Sequence, residues 1–81
     1  MSTEILVIKI SSRRTTAIEL QKVFTEFGCS IKARLGLHEA GELCSDEGIL
    51  ILQLTGEIDE IRGLQNALNK MPDIKAKLVE F

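Results

Sequence analysis

The chain has 81 residues, of which 44% are hydrophobic and 27% charged, with a formal net charge of −2. This balance argues against nucleic-acid binding, because domains that hold phosphates usually present a basic face, and here no aromatic platform lies among the basic residues. No apolar run reaches the roughly 18 residues that span a membrane, and charged residues interrupt the stretch where a signal peptide would be apolar. We therefore expect one cytoplasmic domain over residues 1–81, so small that a partner subunit would help its stability.

The first part of the chain predicts a strand followed by a helix. The run ILVIKI, residues 5–10, is rich in β-branched residues without a helical period, as in a buried strand. Over residues 13–27 the apolar side chains recur at intervals of three and four, which places them on one stripe of a helix: Ala17, Leu20, Val23, Phe24 and Phe27. Thr16 and Glu19 have the spacing of a capping box near the start, and Gly28 can end the helix in a left-handed conformation.

The remaining part predicts two strands, a helix and a final strand. SIKARLGLH alternates strictly between apolar and other residues, as in a half-buried edge strand, whereas ILILQL after Gly48 is apolar on both faces and suits the centre of a sheet. A second helix is expected over residues 57–70, with Asp59 and Glu60 in the first turn, where the helix dipole favours negative charge. Pro72 bars its continuation, and DIKAKLVEF alternates again.

The order of elements predicts an α+β, ferredoxin-like βαββαβ fold. In this arrangement two helices cover one face of a four-stranded antiparallel sheet, and the first and third strands are central. The two strands assigned to the centre are the two that are apolar on both faces, and the two edge strands carry lysines, which discourage edge pairing.

The sheet face without helices is the first clue to function. If the helices cover the other face, this one displays six large apolar side chains: Ile5, Val7, Ile49, Ile51, Val79 and Phe81. Such a surface predicts an oligomer interface, most simply a two-fold dimer. The alternative is a solvated face, since Lys9, Lys32, Arg34 and Gln53 break the apolar surface.

Residues 23–56, VFTEFGCSIKARLGLHEAGELCSDEGILILQLTG, resemble a known family. Its members are small stand-alone ACT-like proteins named as regulators of iron-only hydrogenase systems, with a helix that ends in an aromatic residue and glycine, then R-x-G-L-H and G-L-I-x-L. Ser12, Arg13 and Arg14 fit the first turn of that pattern, and DIKAKLVEF fits its last strand. The resemblance implies a regulatory, ligand-sensing or assembly role without a catalysed reaction.

The fold also resembles the regulatory domain of nickel-responsive repressors, which implies a possible metal site. That domain uses a helical histidine and an H-x-H-x5-C run, of which His38 and Cys44 match the H-x5-C half. Gly36 and Thr25 stand where the other two ligands would be. A complete site would therefore need a second subunit, or the carboxylates Glu39 and Glu42. The segment 39–47 is longer than most hairpin turns, which is more common in functional loops, although a wide polar turn is the simpler interpretation.

The turn after the first strand is a candidate effector site. Compared with amino-acid-binding ACT domains, it holds Ser12, Arg13 and Arg14 where glycines usually let backbone amides reach the ligand. Free amides at a helix start together with two arginines favour an anionic effector instead.

The sequence favours a binding module over an enzyme. It contains no nucleophile with an adjacent base, no three-residue metal-ligand set and no phosphate-binding loop. The leading hypothesis is a non-catalytic, homo-oligomeric ACT-like module linked to a hydrogenase system, which binds a small effector or a protein partner. The alternative is a metal-binding module that uses His38 and Cys44 at a subunit interface, and a pure assembly domain is a third possibility.

Overall fold

The computed structural model describes residues 3–37 and 47–81, without the side chains of residues 13–15 and 37. The elements follow the predicted order: β1 Glu4–Ile10, α1 Arg13–Glu26, a 3-10 turn Gly28–Ser30, β2 Ile31–Leu37, β3 Gly48–Leu54, α2 Ile58–Asn69 and β4 Ile74–Glu80. The predicted fold class is confirmed. Within the described ranges, no helix is long and apolar enough to cross a membrane.

The sheet has the strand order β2-β3-β1-β4, with β1 antiparallel to both of its neighbours. The first and third strands are therefore central, as their two-sided apolar pattern predicts. At the middle of the sheet Leu6 of β1 lies opposite Leu52 of β3 on one side and Leu78 of β4 on the other. Because directly opposite residues point to the same face, this register sorts the apolar side chains of all the strands onto two faces.

Both helices pack on one face of the sheet and form the core with it. Leu6, Ile8 and Leu52 on the strands have no exposed surface, and Leu64 and Leu68 on α2 are equally buried. Helix α1 contributes Leu20 and Phe24. The two helices meet where Phe27 approaches Gly63, at which a Cβ would stand 3.4 Å from the ring carbon Cε1. Asp59 and Glu60 occupy the first turn of α2 as predicted.

Two predictions about the ends of α1 are wrong. Thr16 does not cap the helix: it lies inside it, and its hydroxyl donates a 2.7 Å hydrogen bond to the carbonyl of Ser12, the residue at the N-cap position. Gly28 does not take a left-handed conformation, since Gly56 is the one described residue with a positive φ. The chain continues from α1 into a 3-10 turn, in which the amide of Ser30 donates to the carbonyl of Phe27.

A β-bulge in β2 changes the faces that its residues occupy. The pairing with β3 shifts between Ile31 and Ala33. Ile31 packs against the core, and the residues after the bulge point to the faces opposite to those that an unbroken alternation from Ile31 would give them. Arg34 then lies on the helix-covered side, with its Cζ 5.3 Å from the centre of the Phe24 ring. Leu35 points to the opposite face. The strict alternation of SIKARLGLH predicts that Ile31 and Leu35 share a face, and this prediction is wrong.

Candidate functional site

The most prominent surface feature is the sheet face opposite the helices, here called the open face. Large apolar side chains remain accessible there: Leu35 is 56% exposed, Ile49 42%, Val79 41% and Phe81 81%. Ile5, Val7 and Ile51 are half-buried beside them. The residues predicted for an oligomer interface thus share one surface, and their role in assembly stays a prediction.

The register makes these side chains contiguous. Ile51 on β3 lies opposite Val7 on β1 and opposite Leu35 on β2, so three apolar residues form a row across three strands. Ile5 and Val79 form a second opposite pair between β1 and β4. We call the strand residues of this set the apolar patch, which comprises Ile5, Val7, Leu35, Ile49, Ile51 and Val79; Phe81 follows the end of β4 and is not included. Leu35 is missing from the sequence-based set because the bulge that turns it to this face depends on pairing with β3.

Three exposed lysines lie beside the apolar patch. Lys9 on β1 is directly opposite Lys75 on β4, and Lys77, two residues further along β4, is opposite Val7. We call Lys9, Lys75 and Lys77 the lysine cluster. No residue that the register places on the open face within the four strands is acidic. The charged strand residues that the register places on the open face are therefore all lysines, whereas the chain as a whole has a formal net charge of −2.

The predicted effector site lies at the same end of the sheet as Lys9. Ser12 occupies the N-cap position of α1, and the amide of Ser11 donates a hydrogen bond to the carbonyl of Asp73 next to β4. The backbone at the turn is thus anchored to the neighbouring chain segment. The side chains of Arg13 and Arg14 lie outside the described part of the structure, so their role in anion binding stays a prediction.

His38 and Cys44, the predicted metal ligands, lie outside the described residues. The register nevertheless shows where their segment starts and ends, because Leu37 pairs with Ile49 and Gly48 pairs with Ile10. The segment therefore joins the sheet at the end that also carries Lys9 and Ser12. Over residues 3–37 and 47–81, no group of three or more His, Cys, Asp or Glu side chains is placed to hold a metal ion.

A cleft of about 300 Å³ lies between the end of α1 and the start of α2, lined by Glu26, Phe27, Cys29, Ser30 and Glu60. The buried hydroxyl of Ser30 donates a 3.1 Å hydrogen bond to the carboxylate of Glu60. Gly56 lies against this pair with a φ of 104°, a conformation that side chains rarely adopt. Because the hydroxyl already has a partner within the chain, its contact serves to join the turn after α1 to the first turn of α2.

Comparison with known proteins supports the fold. No protein-family model matches the sequence, and no curated protein matches it. Among solved structures, an uncharacterized protein from Thermotoga maritima is similar over 100% of this chain and 99% of its own, with a TM-score of 0.84 and 21% identity.

Two further solved structures place this similarity within a wider fold. The similarity to the ACT domain of a GTP pyrophosphokinase from Chlorobium tepidum covers 98% of this chain and 97% of that one, with a TM-score of 0.65 and 10% identity. The similarity to a PII-like signaling protein from Thermus thermophilus covers 100% of this chain and 88% of that one, with a TM-score of 0.66 and 10% identity. The chain therefore has the ACT-like, ferredoxin-like α+β fold.

Proposed function

We propose that the protein is a non-catalytic regulatory module that assembles into a homo-oligomer through the open face and responds to a small ligand. The observation that carries this proposal is the apolar patch, which the described part of the chain does not cover. The fold similarity to an ACT domain and to a PII-like protein supports a regulatory role. The motif resemblance to regulators of iron-only hydrogenase systems suggests which kind of system it serves.

The energy of burying the patch favours assembly. At about 25 cal/mol per Å², covering a few hundred Å² of apolar surface stabilises a complex by several kcal/mol, which is comparable to the folding stability of a small domain, roughly 5 kcal/mol. A second copy is the simplest cover, because a two-fold axis places the same patch on both sides of the interface.

Regulation would follow from coupling between ligand and assembly. A ligand shifts an equilibrium only if it binds one arrangement of subunits more tightly than another. The predicted effector residues Ser12, Arg13 and Arg14 form the N-cap and the first turn of α1, which directly follow β1. A ligand held at that turn can therefore alter the position of β1 relative to a partner subunit.

Sedimentation velocity tests the assembly. We expect the wild-type chain to form a dimer or larger oligomer at tens of micromolar, and we expect Leu35→Gln to weaken association by about tenfold or more, the equivalent of about 1.4 kcal/mol. Ile18→Gln is the matched control, because Ile18 is also an exposed apolar residue but lies on the helix layer. A monomeric wild-type chain, or a loss of association in the control alone, would contradict the proposal.

The alternative function is a metal-binding module that uses His38 and Cys44 between subunits, with Glu39 or Glu42 as further ligands. The H-x5-C spacing is the observation that favours it. Native mass spectrometry of protein purified without chelator tests this function. Stoichiometric metal that is lost in His38→Ala would support it, whereas a metal-free oligomer would rule it out.

A further inference from the structure

The lysine cluster is not explained by the fold. Lys9 and Lys75 are directly opposite on neighbouring strands, where side chains approach to about 5 Å at Cβ and like charges destabilise the sheet. Lys77 follows Lys75 at about 7 Å along the same face. A chain with more acidic than basic residues has thus placed three cations together without a carboxylate from any strand on this face.

Protection of a sheet edge does not account for these lysines either. Edge strands often carry lysine to prevent pairing with other chains. The edge of β4, however, is already covered by α2: the amide of Ala76 donates to the side-chain oxygen of Asn69 at 2.8 Å, and its carbonyl accepts hydrogen bonds from Asn69 at 3.1 Å and Gln65 at 3.3 Å. Lys9 lies on a central strand, where there is no edge to protect.

We infer that Lys9, Lys75 and Lys77 bind a compact multivalent anion and that this anion promotes assembly through the open face. Three lysines whose Cβ atoms lie about 5–8 Å apart on one face can turn their flexible side chains toward one pyrophosphate or polycarboxylate group. The lysine ammonium is a compact point charge, whereas the planar guanidinium of arginine donates two hydrogen bonds in a fixed geometry. The cluster therefore selects an anion by its charge and small size more than by its shape.

The coupling to assembly rests on the proposed function, in which the open face becomes an interface. Moving like charges that lie side by side toward a buried interface is costly, because they lose water and repel one another more strongly there. A two-fold axis would bring a second cluster to the same interface and add to the repulsion. An anion bound at each cluster removes both costs, so the anion-bound chain assembles more readily than the free one.

The experiment uses sedimentation velocity of the full chain at constant ionic strength, with inorganic pyrophosphate or citrate replacing sodium chloride. We expect pyrophosphate to tighten wild-type association by about tenfold, within the usual range for coupled sites. Lys75→Glu places a carboxylate opposite Lys9 and should associate tightly without any anion and respond little to pyrophosphate. Lys22→Glu, the same charge change at an exposed position of α1, should behave like the wild type.

The outcomes separate this inference from the proposed function. An oligomer that responds equally to pyrophosphate, citrate and chloride would overturn the anion site and leave the assembly intact. A chain that is monomeric under all conditions would overturn the assembly and the coupling. Calorimetric titration of that monomer with pyrophosphate would then support the anion site if Lys75→Glu abolished the binding heat, and overturn it if no heat appeared. Binding of duplex DNA without a response to pyrophosphate would also overturn the small-anion assignment.

Discussion

The two faces of the sheet are built from the same strands by the same alternation, yet they have opposite surroundings. Leu6, Ile8 and Leu52 on the helix-covered face are fully buried, whereas Ile49 and Val79 on the open face are about two-fifths exposed. Two helices of 14 and 12 residues supply enough apolar surface to cover one face. The part of the chain that the structure describes therefore buries only one of the two apolar surfaces of the sheet.

The two faces also differ in what lies next to their basic side chains. On the helix-covered side, the basic residue at the sheet margin has a partner within the chain, because Arg34 lies over the ring of Phe24. On the open face, by contrast, the residue directly opposite Lys9 on β4 is a second lysine, Lys75. The described strands and helices therefore complement the helix-covered face but leave the apolar surface and the lysines of the open face accessible.

The largest expected effect comes from truncating the buried face. Leu52→Ala should lower the free energy of unfolding by about 2–5 kcal/mol, because it removes a fully buried side chain and leaves a cavity. Ile49→Ala is the matched change on the open face of the same strand, and in the monomer it should cost less than about 1 kcal/mol. Urea titration at low protein concentration measures both, and equal losses would show that the two faces contribute alike to the fold.

A smaller effect is expected at the covered edge of β4. Asn69→Ala should cost about 1–3 kcal/mol, because the buried Ala76 loses the acceptor for its amide and a donor to its carbonyl. Asn66→Ala, at an exposed position on the same helix, is the control for helix propensity. Chemical denaturation compares the two variants. If Asn69→Ala costs no more than Asn66→Ala, the side chain does not hold this edge in solution.

The smallest effect is expected where the helix-covered face meets solvent. Arg34→Ala should lower the free energy of unfolding by about 0.5–1 kcal/mol through loss of the contact with the Phe24 ring. Lys32→Ala, two residues earlier on the same edge strand, should change it less. Thermal unfolding of both variants in the same buffer measures the two losses of stability. A larger loss of stability for Lys32→Ala than for Arg34→Ala would contradict the role of the Arg34 contact.

Local patterns in the sequence predict the order of elements and the central position of β1 and β3. Those patterns work because alternation and a 3.6-residue period are properties of each segment alone. They fail at the start of α1, where Thr16 donates to the carbonyl of Ser12 from inside the helix. Ser, Thr and charged residues at the right spacing occur both at caps and inside helices, so spacing alone does not separate the two.

The periods of the individual segments were sufficient to predict an antiparallel sheet with helices on one face and an apolar surface on the other. They did not show that Leu35 belongs to that surface, that Asn69 hydrogen-bonds to the edge of β4, or that Lys9 lies opposite Lys75. Only the tertiary structure shows these three features. The physical reason is that each of these depends on strand register or on contact between distant segments, neither of which is encoded in the period of a single segment.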